Sequence, residues 1–165
     1  MGFAVVDVET TGLNPRTDRI LEIGIVTADG SGRPTGEWSS LVNPGRPVAA
    51  TVVHGLTDAD VADAPPIAEV LPRVTALLAW KVVVAHNAAF DVGFLNMEFA
   101  RMGLPSIEEL DCEITDTLAM AREKFPGQKA SLDALCSRLD VDRSKRVLHR
   151  ALIDCEPVSY THLTL

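Results

Sequence analysis

The chain has 165 residues, 47% of them hydrophobic, which fits one compact domain with a sizeable buried core. Its net charge of -8 and isoelectric point near 4.9 argue against binding nucleic acid through a broad basic surface, because Lys and Arg contacts to phosphates dominate such binding. No apolar stretch approaches the roughly 18 residues of a membrane span, and the three cysteines lack a C-x-x-C spacing. We therefore expect a soluble, cytoplasmic protein without a membrane partner.

The apolar patterns predict four strands. Residues 3–8 are an almost continuous apolar run, as in a central strand that is buried on both faces. Residues 20–28 and 37–42 flank a Gly-rich turn and predict an antiparallel hairpin. The β-branched run at residues 82–85 predicts a buried parallel strand.

Helices are predicted between and after these strands. Pro65-Pro66 opens an amphipathic segment at residues 67–80, and a second helix is expected over residues 90–102. Thr115 or Asp116 can cap a helix that runs to about residue 124, and Ser131 can cap another at residues 132–139. This order predicts an α/β fold in which helices cover both faces of a mixed sheet.

Asp7 and Glu9 lie two residues apart in the first predicted strand, so their side chains should project from the same face. An isolated D-x-E pattern is most often a solvated strand face, but the flanking valines indicate burial. Two buried carboxylates repel each other unless cations lie between them, so we interpret the pair as metal ligands. The following Thr10-Thr11-Gly12 segment offers hydroxyls and backbone amides to a nucleotide terminus.

A second polar cluster follows the strand at residues 82–85. Asp91 is placed where a carboxylate can simply favour the positive end of a helix dipole, and His86 and Asn87 can be hydrogen-bonded polar groups at a strand end. Their combination with Phe90 next to Asp91 is more specific than any one of them.

The third cluster contains His149 and Asp154. Five residues separate them, so they cannot share one face of an ideal helix, and we expect His149 in the preceding loop and Asp154 one turn into the helix. The histidine is then a candidate general base. Arg146 and Arg150 are either phosphate contacts or solvated charges, and we favour the latter.

Together the three clusters supply four carboxylates and one histidine, a ligand set that suits two hard divalent cations about 3.5 to 4 Å apart. The clusters and their order resemble the DEDDh 3′–5′ exonuclease superfamily. Within it, the segments 53–57, 85–94 and 115–154, the last with its motifs at 125–127 and 131–136, resemble the epsilon proofreading subunits of bacterial DNA polymerase III. The resemblance covers residues 3 to about 156.

The resemblance implies a ribonuclease H-like domain over residues 1–156, with a mixed five-stranded sheet, an antiparallel hairpin and flanking helices. It implies Asp7, Glu9, Asp91 and Asp154 as catalytic ligands of two Mg²⁺ or Mn²⁺ ions, and His149 as the general base. The residues it implies near the terminal nucleotide are Thr10, Thr11, Gly12, His54 and Phe90, although His54 can equally be only a turn residue.

The activity implied is hydrolysis of DNA from a single-stranded 3′ end, with release of nucleoside 5′-monophosphates, as in proofreading. The implied partner is the catalytic subunit of DNA polymerase III, contacted through a C-terminal segment that is missing here. An enzyme that trims RNA or short oligonucleotides uses the same metal chemistry, and a catalytically silent module that docks nucleic acid or a polymerase has the same fold.

Residues 157–165 do not fit the family pattern, and residues 158–165 resemble a translated sequencing-library adapter. We expect them to be a non-native tail. Because Pro157 costs about 3 kcal/mol in a helix interior, we also expect the final helix to be truncated there and Asp154 to be loosely placed.

Overall fold

The computed structural model describes residues 1–48, 54–142, 144 and 150–165. Strands in these ranges form one mixed sheet in the order β3-β2-β1-β4-β5. Their bounds are β1 Gly2–Thr10, β2 Ile20–Ala28, β3 Pro34–Leu41, β4 Lys81–Ala85 and β5 Glu113–Asp116. β1, β4 and β5 are parallel, whereas β2 and β3 form the antiparallel hairpin beside β1. The predicted α/β class and five-stranded sheet are confirmed.

Helices cover both faces of this sheet. They are α1 Asp58–Val61, α2 Ile67–Leu78, α3 Ala88–Arg101, α4 Thr117–Lys124, α5 Leu132–Arg138 and α6 Ala151–Thr164, with a 3₁₀ turn at Glu108–Leu110. Asp116 caps α4 and Ser131 caps α5, as predicted, because each side chain accepts a backbone N–H of its helix. Among the described helices, none combines the length and the apolar character that crossing a bilayer requires.

β1 is central because both of its faces are apolar. Val6 and Val8 pack into the cluster beneath α2 and α3. Val5 points to the opposite face, where it joins Cys155 and Val158 of α6. The strand therefore anchors both layers of helices, and its last residues carry the acidic pair.

Several element boundaries differ from those predicted, and two of the differences follow from left-handed residues. The helix predicted at 67–80 ends at Leu78, since Trp80 adopts a φ of 62° as the chain turns into β4. The helix predicted from residue 90 already begins at Ala88, after Asn87 with a φ of 70°. β1 extends to Thr10, which places Glu9 inside the strand.

The predicted truncation of the final helix at Pro157 is wrong. α6 continues from Ala151 to Thr164, with Pro157 buried inside it. Val158 is 1% exposed in the core, and the ring of His162 packs edge-on against Phe3 with a centroid distance of 5.0 Å. This packing offsets the helix-breaking cost of about 3 kcal/mol for the proline.

The end of the chain is also anchored at its last carbonyls. Lys124 Nζ donates to the carbonyl oxygens of Thr164 and Leu165 at 3.1 and 3.2 Å, a favourable position for a cation at a helix C-terminus. Residues 157–165 are thus packed as part of the domain. Their non-native origin stays a prediction.

Two polar atoms of this last segment are poorly matched to their buried positions. Within the described ranges, Thr161 Oγ1 and His162 Nδ1 are buried without a hydrogen-bond partner. A buried hydroxyl without a hydrogen bond costs about 1 to 3 kcal/mol. The segment therefore packs as a helix, but these polar atoms reduce its contribution to stability.

Thr161→Val should therefore stabilise the domain, because it keeps the side-chain shape and removes the unsatisfied hydroxyl. We expect a gain in the free energy of unfolding of about 1 kcal/mol, measured by urea denaturation. Thr164→Val in the same helix is the control, since the Thr164 hydroxyl is exposed and donates to the Tyr160 carbonyl. Equal effects of the two substitutions would contradict this assignment.

Candidate metal centre and nucleic-acid cleft

Three carboxylates meet where the end of β1 faces the first turn of α6. Asp7 and Glu9 project from the same face of β1, and Asp154 faces them from α6. One ligand oxygen of each lies within 4.8 Å of the others. Glu9 is 8% exposed and Asp154 4%. The arrangement fits a hard divalent cation, which prefers carboxylate oxygens.

Asp154 is firmly positioned, contrary to expectation, because α6 lies directly on the backbone of β2. A Cβ at Gly24 would lie only 2.4 Å from the backbone nitrogen of Leu152, so a glycine is required for this approach. Cys155 Sγ is 3.2 Å from the Gly24 carbonyl oxygen.

An ion pair fixes the start of α6. Arg150 Nε and Nη2 donate to the two carboxylate oxygens of Glu22, at 2.7 and 3.2 Å. Arg150 was predicted to be a solvated charge, with a phosphate contact as the alternative, and its partner is instead a buried carboxylate of β2. Arg146 lies outside the described residues.

Asp91 approaches the same place from the first turn of α3. Its Oδ1 accepts the backbone N–H of Val8 at 3.0 Å, and the residue is 3% exposed. The left-handed Asn87 starts the helix, and its N–H donates to Asp116 Oδ1 at 2.9 Å. These bonds hold the carboxylate of Asp91 beside β1.

These carboxylates line a cleft of about 440 Å³ at the carboxyl ends of β1 and β4. Eight of its lining residues are predicted site residues: Asp7, Glu9, Thr10, Gly12, His54, Phe90, Asp91 and Asp154. The other four are Val8, Leu13, His86 and Asn87. Its size suits a small polar ligand such as a nucleotide.

Thr11 is the predicted substrate residue that does not line the cleft. Its hydroxyl donates to Asp18 Oδ1 at 3.1 Å and accepts the Arg19 N–H at 3.0 Å. Thr11 therefore organises the loop after β1. The neighbouring Thr10 hydroxyl donates to the Gly12 carbonyl at 2.6 Å.

His54 lines the cleft and is nearly completely buried. Its Nδ1 accepts the Leu56 N–H at 3.0 Å, so the neutral ring carries its proton on Nε2. His54 thus stabilises a turn and also faces the cleft. His149, the predicted general base, lies outside the described residues, as does Val53 of the 53–57 segment.

Leu13 is the lining residue that the sequence interpretation missed. It is 86% exposed, although it borders the cleft. The signal was present as the one large apolar side chain among residues 11–19. His86, noted in the sequence as a possible satisfied polar group, is hydrogen-bonded through Nδ1 to Thr117 Oγ1 at 2.9 Å and borders the cleft as well.

Burial, together with neighbouring acids, raises the pKa of two carboxyl groups in the cleft. Burial, followed by the charges of Asp154, Glu22 and Asp91, raises the pKa of Glu9 from 4.5 to about 8. Burial also raises the pKa of Asp91 to about 8, although the Val8 N–H acts in the opposite direction. The cluster is therefore destabilised when it is ionised without a counter-charge.

Comparison with known proteins identifies the family. Residues 4–160 match the RNase_T family, described as exonuclease. The chain belongs to the exonuclease family.

Individual relatives extend this assignment. The chain is 40% identical over 168 residues to the DNA polymerase III subunit epsilon of Pasteurella multocida, a match that covers 98% of this chain and 66% of that protein. It thus spans about two thirds of the length of this curated relative.

Solved structures of exonucleases are similar too. Exonuclease X in complex with 5′-overhanging duplex DNA is 32% identical, with a TM-score of 0.75 over 98% of this chain and 89% of that one. Escherichia coli exonuclease I with a dT13 oligonucleotide has a TM-score of 0.87 over 99% of this chain and 40% of that one, at 17% identity. The latter likeness concerns the fold, and it agrees with the ribonuclease H-like architecture that was predicted.

A divalent cation fits the acidic centre of this exonuclease. The ligand atoms are hard carboxylate oxygens, and the raised pKa values report mutual repulsion and burial that a cation relieves. The family and the donor set therefore agree on divalent-metal use.

Metal removal should make the stability of this exonuclease depend on pH in a defined direction. A carboxyl group with a raised folded pKa binds more protons in the folded state than in the unfolded state between about pH 4.5 and 8. The protein in EDTA should thus lose stability as the pH rises through this window. The increase in Tm on adding Mn²⁺ should be larger at pH 8 than at pH 5.5, as measured by thermal unfolding.

Glu9→Gln provides the control for this experiment, because it removes one of the two titrations with the raised pKa. The variant should show a smaller difference between the Mn²⁺ effects at the two pH values. An Mn²⁺ effect on Tm that is the same at pH 5.5 and pH 8 in the unsubstituted protein would contradict the assignment.

Proposed function

We propose that this chain is a metal-dependent 3′–5′ exonuclease that hydrolyses DNA from its 3′ end and serves proofreading. The observation that carries the proposal is the cluster of half-buried Asp7 with buried Glu9 and Asp154, with Asp91 in the same cleft. The similarity to a polymerase III epsilon subunit, and to an exonuclease structure that contains DNA, supports the choice of DNA.

In this proposal Asp7, Glu9, Asp91 and Asp154 hold two Mg²⁺ or Mn²⁺ ions. When bound, such ions act as Lewis acids, lower the pKa of a water molecule and neutralise the charge of the leaving oxygen. The hydrogen bond from Val8 N–H orients Asp91, and the packing of α6 on Gly24 orients Asp154.

The proposed proton acceptor is His149. It takes the proton of the water that attacks the terminal phosphorus, while the bond from that phosphorus to the 3′ oxygen of the preceding nucleotide breaks and that oxygen takes up a proton from solvent. The products are a nucleoside 5′-monophosphate and a shortened strand with a new 3′ hydroxyl.

The terminal nucleotide would bind between the loop after β1 and the start of α3. Thr10, Gly12 and Leu13 line one part of the cleft, and Phe90 lines another. The Phe90 ring lies 4.9 Å from that of Phe94, which orients it for contact with a sugar or base. His54 lines the cleft beside them.

The proposed partner of the whole protein is the catalytic subunit of the polymerase, bound through a segment C-terminal to the exonuclease domain. This proposal rests on the epsilon relative, about a third of which lies outside the match to this chain. A single exonuclease domain with an acidic net charge of -8 gains effective concentration at the primer end from such a tether.

Asp7→Asn should abolish nucleotide release, because the acidic centre loses a charged ligand while the shape of the side chain is kept. The measurement is release of label from a 3′-labelled single-stranded DNA, and from its RNA equivalent, in Mg²⁺, Mn²⁺ or EDTA. We expect metal-dependent release that is faster on DNA. Asp63→Asn, which changes an exposed acid elsewhere, should retain full activity.

Full activity of Asp7→Asn would remove this carboxylate from the metal site. Faster loss of label from RNA than from DNA would move the function to an RNA-trimming exonuclease. No release by the unsubstituted chain from either substrate, with a Tm that still rises in Mn²⁺, would overturn the catalytic proposal in favour of a silent module.

His149→Ala should lower the single-turnover rate of hydrolysis by roughly 10²- to 10⁴-fold, the range expected for loss of a general base. Binding of Mn²⁺, which is measured by the change in Tm, should be retained, because His149 is proposed to act on the water and not as a metal ligand. An unchanged rate at saturating Mn²⁺ would assign the proton transfer to another group.

A further inference from the structure

A buried ion-pair cluster lies behind the loop that follows β1. Glu98 of α3 is 1% exposed, and its two carboxylate oxygens accept hydrogen bonds from Arg19 Nε and Nη2 at 2.8 and 3.1 Å. Arg101 Nη1 is also 3.1 Å from Glu98 Oε1, as an ion pair without hydrogen-bond geometry. One buried carboxylate thus holds two arginines.

Both arginines connect this carboxylate to the loop at residues 11–19. Arg19 is the last residue of the loop. Arg101 Nη2 donates to the carbonyl oxygens of Pro15 and Arg16, at 3.1 and 3.0 Å. Glu98 therefore fixes the middle of the loop through Arg101 and its end directly.

The loop has its own internal bonds, which transmit this position to its tip. Asp18 accepts the Thr11 hydroxyl and the Asn14 N–H, at 3.1 and 3.0 Å. A Cβ at Gly12 would lie 2.5 Å from the Asp18 carboxylate, so the chain is closely folded there. The exposed side chain of Leu13 is presented between these bonded residues, at the rim of the cleft.

We propose that Glu98, through Arg19 and Arg101, is a positioning residue that fixes Leu13 against the base of the terminal nucleotide. This inference rests on the proposed function, because it takes a nucleic acid 3′ end as the ligand. Glu98 touches no reacting group. Its effect is to order the loop before the substrate arrives, so that binding of the terminal base does not have to order it.

The alternative is a structural strut, in which the ion pairs stabilise the fold without affecting recognition. Breaking a buried ion pair destabilises a protein in either case, so loss of stability cannot separate the two. Recognition of the terminal base distinguishes the two roles. Only in a positioning role does the effect of substituting Glu98 on binding depend on Leu13 and on the presence of the terminal base.

The experiment is a double-mutant cycle with Leu13→Ala, Glu98→Gln and the double variant. KM and kcat are measured in Mn²⁺ on an oligodeoxynucleotide with an ordinary 3′ end and on one whose last nucleotide is abasic. The Kd of both oligonucleotides is measured in Mn²⁺ by fluorescence anisotropy, with a non-hydrolysable last linkage so that they stay intact. Glu108→Gln is the matched control, since it changes an exposed carboxylate that is bonded to Asn96 of the same helix.

We expect Glu98→Gln to raise KM and Kd for the ordinary end by roughly tenfold, with little change in kcat. KM and Kd for the abasic end should change little. The double variant should match Leu13→Ala alone, because the two changes remove the same contact. Additive effects, or equal effects on both ends, would overturn the inference.

Arg101→Gln gives a second test if Glu98→Gln fails to fold, because Arg101 is more exposed than Glu98 and Arg19 still pairs with Glu98 in this variant. Arg101→Gln should raise KM and Kd for the ordinary end as Glu98→Gln does. Arg101→Lys should restore these constants only in part, because lysine has no second nitrogen to reach the loop carbonyls while it pairs with Glu98. If the unsubstituted chain does not cleave, the proposed function fails, and the cycle in Kd still decides this inference. Absence of binding to either oligonucleotide would overturn both.

Discussion

Acidic groups are crowded at the end of β1, and they repel one another. Glu9 lies beside Asp154 and opposite Glu22 on the neighbouring strand, in surroundings that are largely buried. Packing must hold these groups together before a cation can bind, because a cation alone does not determine the fold of the chain. The free energy for this comes from the apolar faces of β1, which bind helices on both sides of the sheet.

The docking of α6 on β2 supplies the fourth acid from a distant part of the chain. Gly24 permits the helix backbone to approach the strand, and the pairing of Arg150 with Glu22 neutralises a second acid behind Glu9. The same ion pair therefore orients the helix and reduces the negative charge beside the ligands. Replacing Arg150 alone leaves the buried charge of Glu22 unpaired, which costs more than the pair contributes to stability.

Local patterns in the sequence predict much of this structure. Four of the five strands, the caps at Asp116 and Ser131 and the shared face of Asp7 and Glu9 follow from periodicity and from side-chain chemistry within a few residues. The fifth strand, β5, was not predicted from a local pattern, because its four residues contain no apolar run. The partner of Arg150 and the role of Thr11 do not follow from such patterns either, because each depends on which distant or returning segment packs nearby. The continuation of the last helix beyond Pro157 was missed for a related reason: the penalty of Pro157 is local, whereas the packing that offsets it comes from Phe3, Val158 and Lys124.

Charge remains the constraint on binding a polyanion to a chain with a net charge of -8. Three arginines near the cleft are already paired with buried carboxylates: Arg19 and Arg101 with Glu98, and Arg150 with Glu22. Their charge serves to orient the loop and the last helix, and little of it is left to attract phosphate. In the proposed function, binding of a 3′ end therefore draws on cations in the acidic centre and on apolar contacts with the cleft residues Leu13 and Phe90. In this proposal the same cations support hydrolysis, so metal binding raises both the affinity for a strand end and the rate of its cleavage. A strand whose terminus lies outside the cleft is neither bound more tightly nor cleaved.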